Sequence, residues 1–356
     1  MCNIAGYTGT KRAAPILVEM LRREQFIDGG LSTGIATIHE GKVYSAKVLG
    51  DLDELLRSTD AMNFPGTCGI IHSRPAGTLQ SHAHPFLSED GNCAIVLNGT
   101  LLGVGTPEFF DESHRIMQPF YDRGAVRSAY EGEDWNQHHL DNGLAYHDTE
   151  VYALMLGESI KKAGVTPGNM EQAMADALST LPADIVTMAI HAELPGIITI
   201  GDITRPLSAG LVGEEAYLAT TPLAFPEDVS FQQIIQIPCA SVSQATPGHL
   251  CVSGKVLDGV RVEQLSVKVL SLYYEQLEKL LLGQKDDPKS LYDFGVKHRD
   301  LWQKPLVDCK FCKEGELLKP YASASYHTLW TFYKEGRLHG RLGEHKGRKI
   351  VKFWLE

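Results

Sequence analysis

Cys2-Asn3-Ile4-Ala5-Gly6-Tyr7-Thr8-Gly9, the stretch behind Met1, decides how the rest of the chain is read. Residues 2–6 are short and apolar enough for a strand that starts at the terminus itself. A small second side chain permits removal of Met1, which would leave Cys2 with a free α-amine beside its thiol. An α-amine titrates at about 7.7–8.0 and a thiol at about 8.5, so one terminal residue can supply nucleophile and general base together near neutrality. Taken alone, a cysteine at position 2 is equally an incidental thiol.

Working outward, strand-like and helix-like patterns follow one another. Pro15–Arg23 carries Ile16, Leu17, Met20 and Leu21 at helical spacing, and Ser32–Ile38 and Lys42–Lys47 read as strands joined at His39-Glu40-Gly41. Asp51–Thr59 is a short amphipathic helix, and Cys68–Ser73 and Cys93–Asn98 are apolar strands that end in polar residues. Residues 99–148 read as irregular, with the polar segment 131–139 a candidate lid or partner surface. Thr149–Ala163 and Asn169–Leu181 are helical, and Ile185–Ala192, Gly196–Ile200, Pro206–Val212 and Glu215–Ala219 are strands. Strands and helices that do not alternate one by one favour packed antiparallel sheets with outer helices over a nucleotide-binding wind.

Six short blocks occur in one order along this frame: Cys2 to Gly9, Gly30-Leu31-Ser32-Thr33-Gly34-Ile35-Ala36, His72-Ser73-Arg74, Ala83-His84-Pro85, Asn98-Gly99 and Asp148-Thr149-Glu150. Together they resemble the class II glutamine amidotransferases, N-terminal nucleophile hydrolases, and most of all the glutaminase domain of glucosamine-6-phosphate synthase. The resemblance covers residues 2–260. It implies an α+β fold, a four-layer αββα sandwich, and attack of Cys2 on the side-chain amide of glutamine to form a thioester and release ammonia. It assigns Asn98 and Gly99 to the oxyanion, Arg74 to the substrate α-carboxylate and Asp148 to the α-ammonium. His72 and His84 would shape the pocket, His84 counting among the substrate-binding residues, and no cofactor or metal is implied. These residue types suit such roles, because a guanidinium fork grips a carboxylate bidentately, and a preorganised donor at a developing oxyanion is worth roughly 2.7–4 kcal/mol.

Each assignment has a plainer reading. Arg74 fits a surface ion pair, Asp148 with Thr149 a helix N-cap, and Asn98-Gly99 a hairpin turn. The sequence also departs from the synthase, with Pro75 where an aromatic residue is usual and Gly77-Thr78 in place of a Thr-His pair. Thr78 is the candidate for the missing hydroxyl at the substrate carboxylate. The alternatives are therefore an N-terminal-cysteine amidase for another small amide, or a non-catalytic binding protein that keeps Met1.

The 356-residue chain has 33 basic and 44 acidic residues, with the charge unevenly spread. Residues 1–260 carry −16 and residues 261–356 carry +5, which argues against bulk nucleic-acid binding by the body and leaves it open for the tail. No apolar run is long enough for a membrane span, and the start lacks a charged and an apolar signal region, so a cytoplasmic protein with reduced thiols is expected.

Past residue 260, Val267–Leu282 is an amphipathic helix, Asp286-Asp287-Pro288 a linker, Tyr326–Leu338 a helix and Lys349–Leu355 a strand. Residues 261–356 thus form a small, mostly helical, basic module, read either as winged-helix-like or as a domain that docks onto a partner protein. Cys309-x-x-Cys312 with His339 and His345 has a loose zinc spacing, and two structural thiols are the preferred reading. No phosphate loop, dinucleotide fingerprint or sugar-isomerase segment follows, so the ammonia acceptor is expected on a separate polypeptide, a sugar phosphate being one candidate.

Overall fold

The opening strand, β1 (Asn3–Thr8), is paired on both sides, and every residue in it is buried. In the computed structural model, which describes residues 2–75, 79–100, 107–131, 139–297 and 320–356, two antiparallel sheets stack face to face. The first contains, besides β1, strands β2 (Ser32–His39), β3 (Lys42–Leu49), β4 (Cys68–Arg74), β9 (Ser208–Val212), β10 (Glu215–Ala219) and β11 (Gln233–Gln236), in the order β11-β9-β10-β1-β4-β2-β3. The second runs β13-β12-β8-β7-β6-β5, from β5 (Phe86–Leu87), β6 (Cys93–Thr100), β7 (Asp184–His191), β8 (Ile198–Asp202), β12 (Ser241–Thr246) and β13 (His249–Val252).

Alternation along the strands builds the layers, because successive side chains point to opposite faces of a sheet. In β1, Ile4 faces inward to Val96, Met188 and Ile198 of the second sheet, while Ala5 and Tyr7 face outward to a helix. That helix, α1 (Ala13–Asp28), lays Leu17, Met20 and Leu21 on the first sheet beside the short α2 (Leu52–Ser58). On the far side, α4 (Asp148–Ala163) and α5 (Pro167–Thr180) cover the second sheet through Tyr152, Leu156, Met174 and Leu178. The layers are helix, sheet, sheet, helix, as expected for the αββα sandwich.

Three readings need correction. The stretch 99–148 is not wholly irregular: α3 (Pro107–Asp122) buries Phe109, Ser113, Met117 and Phe120 at helical spacing, a pattern that Pro119 and a dense run of polar residues disguise. β11 to β13 escape the sequence pattern, because exposed edge positions at His249, Cys251 and Val252 and the polar Ser243 and Gln244 blur their alternation. The last helix stops earlier than expected. It spans Tyr321–Lys334, and the residues after it form strand β14 (Leu338–His345), paired with β15 (Arg348–Leu355).

The C-terminal elements, α6 (Val267–Leu281), α7 (Leu291–Lys297), α8 (Tyr321–Lys334) and the β14–β15 hairpin, share a core of Leu277, Phe294, Leu329, Phe332, Phe353 and Leu355. Ile27, at the end of α1, is buried in that same core. Ser323 of α8 donates to the Thr204 carbonyl at 2.8 Å, so the helix rests on the turn after β8. Cys309 and Cys312, and most of the polar 131–139 segment, lie outside the described residues. Among the described residues no helix is long and apolar enough to cross a membrane.

Candidate active site

Cys2 sits where the two sheets meet at one end. Its backbone N–H donates at 3.0 Å to Oδ1 of Asn98, which β6 of the opposite sheet supplies. That donor fixes which atom of the Asn98 amide faces Cys2, and it leaves Nδ2 as a buried donor with no partner among the described residues. Asn98 is fully buried. A free amide donor in a site that excludes water costs free energy unless a ligand atom completes it.

Gly99 follows with φ +138°, and a Cβ there would fall 2.1 Å from the Asp184 carbonyl oxygen. Backbone conformation and the close approach of β7 both demand glycine at this position. Asn98 and Gly99 therefore lie within a strand, not at the hairpin turn that the plainer reading allowed.

Burial raises the pKa of the Cys2 thiol, and nearby positive charge, Arg74 included, only partly opposes it. Although the residue as a whole is half-exposed, its thiol is surrounded, and it is the environment of the sulfur that governs titration. The resting thiol is therefore protonated at neutral pH, and a base must take its proton before it can attack.

Arg74, the last residue of β4, is half-buried. Its Nη1 donates to the His82 carbonyl at 2.8 Å and meets Nε2 of His147 at 2.6 Å. Both hydrogens of that nitrogen are thereby committed to the scaffold, and no hydrogen bond among the described residues engages the Nε–Nη2 edge. His147 Nδ1 lies 3.0 Å from Asp148 Oδ1 and 3.2 Å from the Thr149 N–H. A neutral imidazole has one donor and one acceptor nitrogen. Since Nε2 accepts from an arginine, Nδ1 carries the proton and donates to Asp148, and the Thr149 contact is secondary. Burial pulls His147 down to about 4, only partly offset by Asp148, so the ring is neutral at physiological pH.

His147 thus joins the two expected substrate-gripping residues, Arg74 and Asp148, in one relay. Nothing in the sequence singles it out beyond its place immediately before Asp148. It is also His147, not Asp148, that stands in the cap position of α4, with Asp148 the first helical residue. Behind it, Glu150 accepts from the Arg127 and Ser128 N–H groups and from the Ser128 hydroxyl at 2.6–3.0 Å, and Ser128 Oγ in turn accepts from the His147 N–H at 2.8 Å.

His72 and His84 stack at 3.8 Å between ring centroids, their planes nearly parallel. Burial holds both well below the ordinary imidazole range. His84 Nδ1 accepts from the Leu97 N–H at 3.2 Å, and His72 Nε2 meets the Leu97 carbonyl at 3.2 Å. The pair braces the strand that carries Asn98. Thr78 lies outside the described residues. Among the described residues no cluster of His, Cys, Asp and Glu is arranged to hold a metal ion.

No protein-family model matches the chain. In sequence it is 30% identical over 231 residues to the glutamine–fructose-6-phosphate aminotransferase of Pyrococcus horikoshii, covering 63% of this chain and 33% of that one. It is 39% identical over 223 residues to the enzyme of the same name from Caldanaerobacter subterraneus, covering 62% and 31%. The chain thus spans about a third of the length of these curated relatives. In fold it is similar to the glutamine phosphoribosylpyrophosphate amidotransferase of Bacillus subtilis, with a TM-score of 0.52 at 19% identity over 73% of this chain and 50% of that one. Sequence and fold converge on one resemblance: the chain is a relative of the class II glutamine amidotransferases.

Proposed function

We propose that the chain is a glutamine amidotransferase that hydrolyses the glutamine side-chain amide through Cys2, exposed as the N-terminal residue by removal of Met1. The α-amine of Cys2 takes the thiol proton as sulfur bonds to the amide carbon, and the carbonyl oxygen becomes an oxyanion held by Asn98 Nδ2 and the Gly99 N–H. Collapse breaks the C–N bond, the α-ammonium returns its proton to the leaving nitrogen, and ammonia departs. Water then attacks the thioester, giving up a proton to the amine, and releases glutamate and the free thiol. The free edge of Arg74 takes the substrate carboxylate, and Asp148 takes the ammonium, with Thr78 and His84 completing that end of the pocket.

One observation carries this reading: a fully buried asparagine binds the nitrogen of Cys2 with its oxygen while its own N–H2 donor stands uncommitted beside the nucleophile. The sequence relatives support the choice of glutamine. The ammonia acceptor would be held by a synthase on a separate polypeptide, with a sugar phosphate as the first candidate. Residues 2–260 would form the amidotransferase domain and residues 261–356 an adaptor, read as winged-helix-like or as a protein-docking module, acting in the cytoplasm.

Intact mass shows whether Met1 is removed, and a diazo-ketone glutamine analogue should add one label, at Cys2. Cys2→Ala is expected to abolish ammonia release from glutamine; unchanged activity in that variant refutes the mechanism. A second reading, hydrolysis of another small amide, draws on Arg74 spending one nitrogen on His82 and His147. A panel in which glutamine fails and an acyl amide is cleaved, with Cys2 labelled, would select it.

A further inference from the structure

Far from the expected roles of the tail, a cavity of about 240 Å³ opens between the end of α1 and the tip of the β14–β15 hairpin. Asp28 forms one wall, Tyr292 of α7 another, and His345, Lys346, Arg348 and Lys349 of the hairpin the rest. We infer that this cavity is a binding site for a small phosphate monoester of monosaccharide size, with the phosphate on Lys346 and Arg348 and the hydroxyls on His345 and Asp28.

The charges favour an anion. Lys349 is engaged by Asp51 at 3.1 Å, but Lys346 and Arg348 have no carboxylate partner among the described residues. An arginine and a lysine together give the planar fork and the point charge that phosphate oxygens accept. The site also contains an unsatisfied group. His345 Nε2 is buried without a hydrogen-bond partner, although its ring packs against Tyr292 at 4.5 Å. As the ring stands, that nitrogen is closed off from the cavity, so a ligand hydroxyl reaches it once the ring turns toward the opening.

The turn itself points the same way. Lys346 and Gly347 form a two-residue hairpin loop with φ of +50° and +78°, the arrangement that favours Asn-Gly or Gly-Gly. Lysine in this left-handed conformation costs stability, and its ammonium sits 5.7 Å from the Tyr292 ring, at the cavity rim. Size narrows the class, because the volume is below the roughly 300–1,000 Å³ of pockets for drug-sized ligands, which suits a phosphorylated monosaccharide better than a dinucleotide.

The test uses the full chain and calorimetry, so it does not depend on glutaminase activity. Glucose 6-phosphate is expected to bind at least tenfold more tightly than glucose, with inorganic phosphate competing. The double variant Lys346→Asn/Arg348→Gln should weaken glucose 6-phosphate by tenfold or more. Its Tm should be unchanged or higher, since asparagine suits the turn and both side chains are exposed. The site is refuted if neither sugar binds, if both bind equally, or if the double variant retains full affinity. It is equally refuted if a short DNA duplex binds through Lys346 and Arg348 while glucose 6-phosphate does not.

Discussion

On the proposed mechanism, Asn98 carries two tasks in one side chain: its oxygen binds the Cys2 nitrogen and its Nδ2 would meet the oxyanion. Its Nδ2 is expected to be worth what a single oxyanion donor is worth, so Asn98→Ala should lower kcat for glutamine by about 10²–10³ with little change in KM. His147 acts at the other end of the pocket. Replacing it with alanine frees Arg74 Nη1 and unseats Asp148, so KM for glutamine should rise more than kcat falls, in steady-state assays of ammonia release.

The same residue has a pH signature. Its folded pKa of about 4 lies below the ordinary 6.5, so the unfolded chain binds the extra proton first. The resulting stability is present above about 6.5 and is lost as pH falls toward 4, on the order of 3 kcal/mol for a shift of that size. Urea unfolding from pH 7 to 4.5 should show the loss, and His147→Gln should reduce it. Glu24 behaves in the opposite sense. It is fully buried, and desolvation, only partly opposed by the Thr221 backbone, raises its pKa well above the usual carboxylate range. Its neutral form is compatible with the fold, so stability falls as pH rises above the ordinary glutamate value. Glu24→Gln should therefore gain on the wild type more at pH 8 than at pH 5.

Cys2 as candidate nucleophile, Asn98 and Gly99 as candidate oxyanion donors, Arg74 and Asp148 can all be proposed from the sequence because each stands in a short block with a recognisable order. His147 lies outside those blocks, and Glu150, although it closes the last of them, has no role legible there, because both act through contacts that folding creates between β4, the 127–128 turn and α4.

Among elements, β6 has the least freedom. It presents Asn98 and Gly99 while pairing with β7, and it approaches β7 so closely at Gly99 that no side chain fits. Gly99→Ala is expected to cost about 1–3 kcal/mol from the backbone conformation alone, more once the clash with Asp184 is relieved, and to cut glutaminase activity disproportionately by displacing Asn98. Differential scanning calorimetry together with an activity assay would separate the two losses. The element boundaries found in the sequence agree to within a residue for β2, β4 and α4, which are buried along most of their length. They fail where the pattern is mixed: α3 carries a proline in its interior, and the helix expected over Tyr326–Leu338 ends at Lys334, before β14 begins.

At the scale of the molecule, the C-terminal elements are not a loosely strung appendage. Their core includes Ile27 of α1, and Arg337 ties β14 to α6 through Glu278 at 2.5 Å. Leu329→Ala should remove about 2–5 kcal/mol, as deletion of a fully buried leucine does, and should lower the unfolding transition of the whole chain, not of a separate unit. The basic excess of the tail is visible in the sequence, but it lies beyond residue 300, since residues 261–300 carry as many acidic as basic side chains. The docking of the tail onto α1 is not visible there, since it depends on contacts more than 300 positions apart, which no local pattern encodes.

The shared core of Ile27, Phe353 and Leu355 has a consequence for how the protein is made. Translation proceeds at about 5–20 residues per second, so the end of α1 emerges from the ribosome on the order of 15–65 s before its covering strand is synthesised. During that interval Ile27 is an open apolar site beside the newly formed nucleophile strand. Chaperone occupancy on nascent chains should persist there until the hairpin arrives, and the phosphate-ester cavity is created in that same closing step.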